Sequence, residues 1–102
     1  MASERVRRRL AAILAADVVG YSRLMRENEA ETLAAVRALR SDIWPPLLER
    51  HAGRLVQAAG DGFLIEFASA VEAVEAGLAV QQALAAVAGG LVLRLGINLG
   101  DV

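Results

Sequence analysis

Cysteine is absent from the 102 residues, and neither sign of charge predominates. The lack of cysteine excludes disulfide bonds and thiolate metal sites, and it agrees with a cytoplasmic location. A net charge of -1 gives no overall field that would attract nucleic acid, so we predict no nucleic-acid partner. No apolar run approaches the roughly 20 residues that span a bilayer, and we predict no membrane span.

Hydrophobic residues make up 56% of the sequence, which indicates a folded chain of single-domain size. The chain begins with an arginine-rich stretch, and the short apolar run that follows gives it the outline of a signal peptide. Glu4 and Asp17 interrupt that outline. We therefore interpret residues 1–9 as a basic N-terminal arm and residues 10–102 as one domain.

Six elements follow one another along this domain. Leu10–Val19 is an apolar run typical of a central strand buried on both faces, and only Asp17 breaks it. Gly20 opens a loop, and a helix begins at Asn28, where Glu31 completes a capping box. The two prolines at 45 and 46 should kink or restart this helix, and Gly53 should end it in the C′ position.

The second half contains two strands, a helix and a last strand. Arg54–Phe67 holds two strand-like runs around Gly60-Asp61-Gly62, and the Asp-Gly pair is a strong hairpin signal. A second capping box at Ser69 starts a helix, whose apolar face we predict to comprise Val71, Val74, Leu78 and Leu84. The alternating residues 91–102 form the last strand.

This order, βαββαβ, predicts an α+β, ferredoxin-like fold. Right-handed crossovers leave a gap between the first two strands that the third fills, giving a four-stranded antiparallel sheet of order 4-1-3-2 with two helices on one face. The end of the first strand then lies beside the turn between the second and third. Asp17 and Asp61 should therefore meet at one edge of the sheet.

Two neighbouring carboxylates repel each other unless a cation neutralises them. Mg²⁺ and Mn²⁺ are suitable cations because they take oxygen ligands and often share nucleotide phosphates. Gly20, Tyr21 and Ser22 form a turn whose backbone N–H groups can hold a phosphate. Asp61 alone would be an ordinary turn residue, but Asp17 is costly within an apolar run unless it has a partner.

Three segments, "RRLAAILAADVVGYSRLM", "GRLVQAAGDGFLIEF" and "LRLGINLGDV", closely resemble class III adenylate/guanylate cyclase catalytic domains in order and spacing. The resemblance is strongest to the bacterial members and covers essentially the whole chain. A palm-like nucleotidyl transferase such as a diguanylate-cyclase relative is a further alternative. The "ADVVGYSRLM" opening favours the cyclases, and the hairpin lacks the Gly-Gly-Asp-Glu-Phe motif.

The resemblance implies that Asp17, Asp61 and the Val18 carbonyl hold two Mg²⁺ or Mn²⁺ ions per site. It also implies that nucleotide contacts come from the Gly20–Ser22 turn, from Gln57 and from Gly60. The implied reaction converts ATP, or GTP, into a 3′,5′-cyclic nucleotide and pyrophosphate. Members of the family form head-to-tail homodimers with their sites at the subunit boundary.

The sequence departs from the family pattern at two places. Gln57 occupies the position at which many adenylate-forming members carry a base-reading lysine, and its amide brings no charge. The sequence ends at Val102, before the family segment with the Asn and Arg that stabilise the transition state. We therefore assign no catalytic residue and expect this chain alone to be inactive. The alternative is a non-catalytic, cyclase-like module that binds a nucleotide or a partner.

Overall fold

The computed structural model describes residues 10–87 and 90–101, so that the predicted arm at residues 1–9 lies outside the described residues. The elements are β1 (Leu10–Val18), α1 (Tyr21–Glu27), α2 (Glu29–Ala38), a π-helical segment (Leu39–Ile43), α3 (Trp44–Arg50), β2 (Arg54–Ala59), β3 (Gly62–Phe67), α4 (Ala70–Ala85) and β4 (Leu93–Asp101). Within these ranges no helix combines the length and apolar character that crossing a membrane requires.

The four strands form one antiparallel sheet in the order β2-β3-β1-β4, which is the predicted order 4-1-3-2 viewed from the other edge. β1 pairs with β3 on one side and with β4 on the other, in a register that sets Asp17 opposite Arg94. The predicted α+β fold is confirmed. The sheet order places the end of β1 next to the β2–β3 turn.

The two faces of β1 differ. Leu14, Ala16 and Val18 are at most 5% exposed and face the helices, whereas Ala15 is exposed and Asp17 is half-buried. The prediction that this strand is buried on both faces is therefore wrong at its C-terminal end. Among the described residues, no element covers the second face there. This second face, called the open face below, carries the candidate site.

The core lies between the sheet and the helices. Its largest fully buried side chains are those of Trp44, Phe67, Leu14, Leu39, Ile65 and Val80. The Trp44 and Phe63 rings contact each other with centroids 6.0 Å apart and a tilt of 52°. Each large apolar side chain buried in this way contributes on the order of 1.5–3 kcal/mol to stability.

Helix α4 packs on the sheet through its small residues. Ala73, Ala76 and Val80 are completely buried, and Leu84 is nearly so. A Cβ on Gly77 would lie 3.2 Å from Leu95 Cδ1. The predicted apolar face is wrong except at Leu84, because three of its members are 47–66% exposed: Val71, Val74 and Leu78. Small side chains allow a close approach of helix and sheet, so α4 turns its alanine side inward.

The helical region after β1 starts earlier than predicted. Tyr21–Glu27 is a helix rather than a loop, and Gly20 precedes it with a left-handed φ of 70°. The capping box at Asn28 is confirmed, since its side chain accepts a hydrogen bond from the Glu31 N–H over 3.0 Å. The predicted restart at the prolines is also found: a π-helical segment precedes α3, whose first turn contains both.

The end of α3 differs from the prediction in one residue. Ala52, not Gly53, adopts the left-handed φ of 54° after the helix. Gly53 follows and donates its N–H to the Leu48 carbonyl over 2.7 Å. Glycine is needed there for a different reason, because a Cβ would lie 2.5 Å from Phe67 Cε1.

Candidate active site

The β2–β3 hairpin has Gly60 and Asp61 as its two turn residues, between the paired residues Ala59 and Gly62. Gly60 has a φ of 58° at the first turn position, which is the glycine position of a type II′ turn. The predicted Asp-Gly signal is thus displaced by one residue, because Gly62 already belongs to β3. Asp61 becomes the second turn residue, and its carboxylate faces β1.

Asp61 is joined directly to the end of β1. Its Oδ2 accepts a hydrogen bond from the backbone N–H of Val18 over 3.1 Å, across 43 positions of sequence. Asp17 is the residue before Val18, so both acidic residues stand at the same end of the sheet. The sheet order accounts for this proximity, as the sequence argument requires.

The Asp17 carboxylate has an unusual environment. Its Oδ2 accepts a hydrogen bond from Arg94 Nη2 over 3.3 Å, and its Oδ1 lies 3.1 Å from the same nitrogen. Oδ1 is buried and accepts no hydrogen bond from any residue in the described ranges. A buried carboxylate oxygen without a hydrogen-bond donor is a ready ligand for a cation.

The donor set suits a hard divalent cation. Two carboxylates and the backbone carbonyl of Val18 would offer only oxygen atoms, which Mg²⁺ and Mn²⁺ prefer over nitrogen and sulfur ligands. The Asp17 Oδ1 atom retains its acceptor capacity for such an ion. The residues present therefore fit the metal that the family resemblance implies.

Gln57 reaches the open face because β2 contains a β-bulge. Leu55 pairs with Ile65 and Gln57 pairs with Leu64, so Val56 is an extra residue in the ladder. In a regular strand, Gln57 would share the face of Leu55, which is the helix side. The bulge reverses this, and Gln57 points to the same side as Asp17. The sequence pattern did not predict this bulge.

A shallow depression connects these residues on the open face. It has a volume of about 220 Å³ and is lined mainly by Ala15, Asp17, Gln57, Ala59, Gly62 and Leu64. Small side chains form its floor, with Asp17 and Gln57 as the polar groups. Typical small-molecule sites measure roughly 300–1,000 Å³, so this depression would hold part of a nucleotide.

The turn after β1 stands next to Asp17. Gly20 takes its left-handed φ there, and Tyr21 and Ser22 begin α1. The first N–H groups of a helix have no partner within it, so this turn offers donors to an anion. Arg23 also lies here: a Cβ on Gly20 would be 2.8 Å from its Nη2. Gly60 stands apart at the hairpin tip, with nothing within 4 Å of a Cβ.

Sequence reasoning missed the pairing of Arg94 with Asp17. The signal was available, because β1 and β4 are antiparallel neighbours and oppositely charged residues on them can face each other. Arg94 and Asp17 are register partners, which puts both side chains on the open face. Whether Arg94 and Asp17 are opposite each other depends on the register of β1 and β4, and the sequence pattern does not determine that register to within one residue.

A second group of metal-ligating side chains lies in the helical layer. The ligand atoms of His51, Glu72 and Glu75 are all within 4.8 Å of one another. His51 Nδ1 and Glu72 Oε1 are 3.0 Å apart, which ties the end of α3 to the first turn of α4. The contact between His51 and Glu72 links two helices, and this structural role accounts for the proximity of the three side chains.

Comparison with known proteins places the chain among nucleotide cyclases. No protein-family model matches it. A curated protein of Rhizobium meliloti (strain 1021), named "Putative adenylate cyclase 3", is 52% identical over 108 residues, which cover 100% of this chain and 18% of the relative. The chain thus spans less than a fifth of that relative's length.

Solved structures give the same result. The adenylate/guanylate cyclase/hydrolase from Silicibacter pomeroyi has 39% sequence identity and a TM-score of 0.77, over 93% of this chain and 59% of that one. The guanylyl cyclase Cya2 has 26% identity and a TM-score of 0.78, over 94% and 56% of the two chains. The chain spans somewhat more than half of each solved cyclase. The sequence motifs, the sheet order and these relatives agree: the chain belongs to the class III adenylate/guanylate cyclase catalytic domains.

Proposed function

We propose that residues 10–102 supply the metal- and nucleotide-binding part of a nucleotidyl cyclase domain. The domain would convert ATP, or GTP, into a 3′,5′-cyclic nucleotide and pyrophosphate. The observation that carries the proposal is the placement of Asp17 and Asp61 at one end of the sheet, joined by the hydrogen bond from Val18 to Asp61. The buried Asp17 Oδ1, which contacts Arg94 Nη2 as an ion pair but accepts no hydrogen bond in the described residues, keeps lone pairs for a cation at this point.

The chain's own residues suggest how a nucleoside triphosphate would lie. Its base would occupy the depression on the open face, where the Gln57 amide can both donate and accept hydrogen bonds. Its phosphates would meet the N–H groups of the Gly20–Ser22 turn. Asp17 lines the depression and precedes this turn, so the ribose and the first phosphate would pass the two carboxylates. Gly60 would border the site at the hairpin tip.

Asp17, Asp61 and the Val18 carbonyl would hold two Mg²⁺ or Mn²⁺ ions. Such ions, when bound, lower the pKa of an attacking hydroxyl and neutralise the phosphates and the leaving group. The protein's part is to hold the two carboxylates at fixed positions. The Val18 N–H does this for Asp61, and the central strand does it for Asp17.

Turnover is proposed for the longer domain rather than for these 102 residues. The chain spans 59% of the solved Silicibacter pomeroyi chain, and the family resemblance assigns the Asn and Arg that stabilise the transition state to a segment after the part matched here. Ground-state binding by itself does not accelerate the chemical step. We therefore expect the purified 102-residue chain to bind metal and nucleotide without forming product, and the homodimer to be a property of the longer domain.

A non-catalytic module is the second candidate function. Gln57 favours it, because a neutral amide stands at the position that the resemblance assigns to a lysine. Such a module would bind the nucleotide without turning it over, even in the longer protein. One measurement distinguishes the two functions: the cyclase would form cyclic nucleotide in the extended domain, and the non-catalytic module would not.

Calorimetry tests the binding site directly. Mn²⁺ together with a non-hydrolysable ATP analogue should bind the wild-type chain, and Asp61→Asn should weaken that binding by at least about ten-fold, as loss of a charged ligand does. Asp42→Asn, an exposed aspartate in the helical layer, serves as the charge-matched control and should bind like wild type. Equal binding by the Asp61 variant would refute the site.

An activity assay then separates the two functions. The chain, fused to the downstream segment of a family member, is incubated with Mn²⁺ and either ATP or GTP. Cyclic product that disappears in Asp17→Asn supports the cyclase. Binding without product in the extended protein supports the non-catalytic module instead.

A further inference from the structure

The group formed by His51, Glu72 and Glu75 has metal-binding capacity that the link between α3 and α4 leaves unused. One ligand atom of each side chain lies within 4.8 Å of the other two. The hydrogen-bonded pair within the group is His51 and Glu72, with Nδ1 and Oε1 3.0 Å apart. Among the described residues, none donates a hydrogen bond to the Glu75 carboxylate or forms an ion pair with it.

The ends of two helices position the group. His51 directly follows α3, and Glu72 and Glu75 lie three positions apart near the start of α4, so both carboxylates stand on one side of that helix. The His51 side chain is only 12% exposed, and that of Glu72 is 42% exposed. Because the surrounding protein already holds this imidazole against a carboxylate, little further ordering would be needed to bind an ion.

We propose that His51, Glu72 and Glu75 form a second metal site, which binds Zn²⁺ or a related divalent transition-metal ion. Zinc takes imidazole nitrogen and carboxylate oxygen as ligands, and water would fill the fourth position. Two ligand atoms on one tetrahedral zinc ion are about 3.3 Å apart, and the His51 and Glu72 atoms already lie 3.0 Å apart. Glu75 is exposed, so a rotation of its side chain can close the remaining distance.

The donor atoms distinguish this group from the carboxylates at the end of β1. Imidazole nitrogen favours zinc and its neighbours in the first transition row, whereas the oxygen-only set around Asp17 and Asp61 suits Mg²⁺ and Mn²⁺. The sequence contains a single histidine and no cysteine. His51 is therefore the one position in the 102 residues that offers an imidazole, and no position offers a thiolate.

The two sites lie near opposite ends of β1. Phe67, two residues before the Ser69 cap of α4, pairs with Ala12 near the start of that strand. Asp17 is five residues further along the strand, about 16 Å at 3.3 Å per residue. An ion at His51 would thus join α3 to α4 and stabilise the helical layer without touching the nucleotide. This site is independent of the metal site proposed at the other end of the strand.

Calorimetry and NMR on the 102-residue chain, without a histidine tag, test the site. Zn²⁺ is titrated in an excess of Mg²⁺, which occupies the oxygen-only site. We expect one Zn²⁺ per chain and a shift of the His51 ring signals, which are the only histidine signals in the spectrum. His51→Asn keeps an amide that can hydrogen-bond to Glu72 but removes the imidazole. His51→Asn and Glu75→Gln should each weaken Zn²⁺ binding by at least about ten-fold.

A matched control and a second readout make the result specific. Glu49→Gln removes an exposed carboxylate at the same end of α3, outside the group, and should change Zn²⁺ affinity by less than about two-fold. Saturating Zn²⁺ should raise the thermal unfolding midpoint of the wild type by about 5 °C or more and leave that of His51→Asn unchanged. Circular dichroism confirms that each variant is folded.

Asp61→Asn separates this inference from the proposed function. Zn²⁺ binding that is kept in Asp61→Asn and lost in His51→Asn supports the second site, whatever Mn²⁺ does at Asp61. Zn²⁺ binding that is lost in Asp61→Asn and kept in His51→Asn places the ion at the other end of β1, which overturns the second site and leaves the proposed function standing. Equal binding by wild type and folded His51→Asn, or His51 ring signals that Zn²⁺ does not shift, also overturns the second site.

Discussion

The backbone N–H of Val18 donates a hydrogen bond to the side chain of Asp61 over 3.1 Å, and this bond joins the central strand to a hairpin tip. A single carboxylate therefore has two tasks. It satisfies a partly buried N–H group at the point where β1 ends, and it stands where a cation would need it. The structural role of Asp61 and its proposed role in metal binding can be tested separately, because different substitutions of Asp61 affect them differently.

Asp61→Asn and Asp61→Ala should differ in stability. Asparagine keeps an acceptor oxygen for the Val18 N–H, whereas alanine leaves that group without its partner. We expect Asp61→Ala to lower the free energy of unfolding by about 1–2 kcal/mol and Asp61→Asn by clearly less. Urea denaturation followed by circular dichroism gives both values. Equal losses would mean that the hydrogen bond contributes nothing measurable.

Gly60 should tolerate replacement poorly because of its backbone rather than its surroundings. Its φ of 58° disfavours any residue with a Cβ, although there is open space around the position. Gly60→Ala should cost about 1–2 kcal/mol, because a residue with a Cβ is strained at this positive φ. Gly96→Ala is the control, since Gly96 has open space and no positive φ. A similar loss at both glycines would contradict the explanation.

Much of this fold could be predicted because local patterns and handedness rules leave few choices. The capping side chains of Asn28 and Ser69 each accept the expected N–H from the residue three positions on. The sheet order follows from the order of elements and the right-handed crossover. From that order alone, Asp17 and Asp61 were expected at one edge of the sheet.

The features that escaped prediction depend on tertiary contacts. Val71, Val74 and Leu78 have helical spacing, but the close approach of α4 to the sheet selects the alanine side instead. Ala52 adopts a left-handed φ, and Gly53 after it leaves room for the Phe67 ring. Neither choice is encoded in a local pattern, since each is decided by a residue distant in sequence.

The two capping boxes should contribute equally and independently. Asn28→Ala and Ser69→Ala each remove the acceptor of one helix N-terminal N–H, and we expect a loss of about 1 kcal/mol in each case. The double variant should lose the sum, because the two caps belong to different helices. Ser41→Ala, an exposed residue of the π-helical segment, should change stability by less than about 0.5 kcal/mol. Thermal and urea unfolding of the wild type and the four variants measure these losses.

Gly53→Ala should overpack the core. The new Cβ would lie 2.5 Å from Phe67 Cε1 and 3.0 Å from Leu48 Cδ2, so the aromatic ring must move. We expect a loss of about 1–3 kcal/mol. A double-mutant cycle with Phe67→Leu tests the cause: the cost of Gly53→Ala should fall when the ring is absent. If the cost is the same in both backgrounds, the backbone and not the ring is responsible.

The extra residue in β2 has a consequence for comparing and recombining this domain with its relatives. Gln57 lies on the open face only because Val56 is an extra residue in the ladder. Residues that are aligned in sequence with a relative without this bulge would therefore lie on the opposite face of its strand. Grafting a relative's strand without the interruption would present Val56 or Ala58 to the depression, even though every residue matched in an alignment. At this site, β2 should therefore be exchanged as a whole strand that includes its β-bulge. Substitutions meant to transfer specificity should be chosen from the strand geometry and not from the alignment alone.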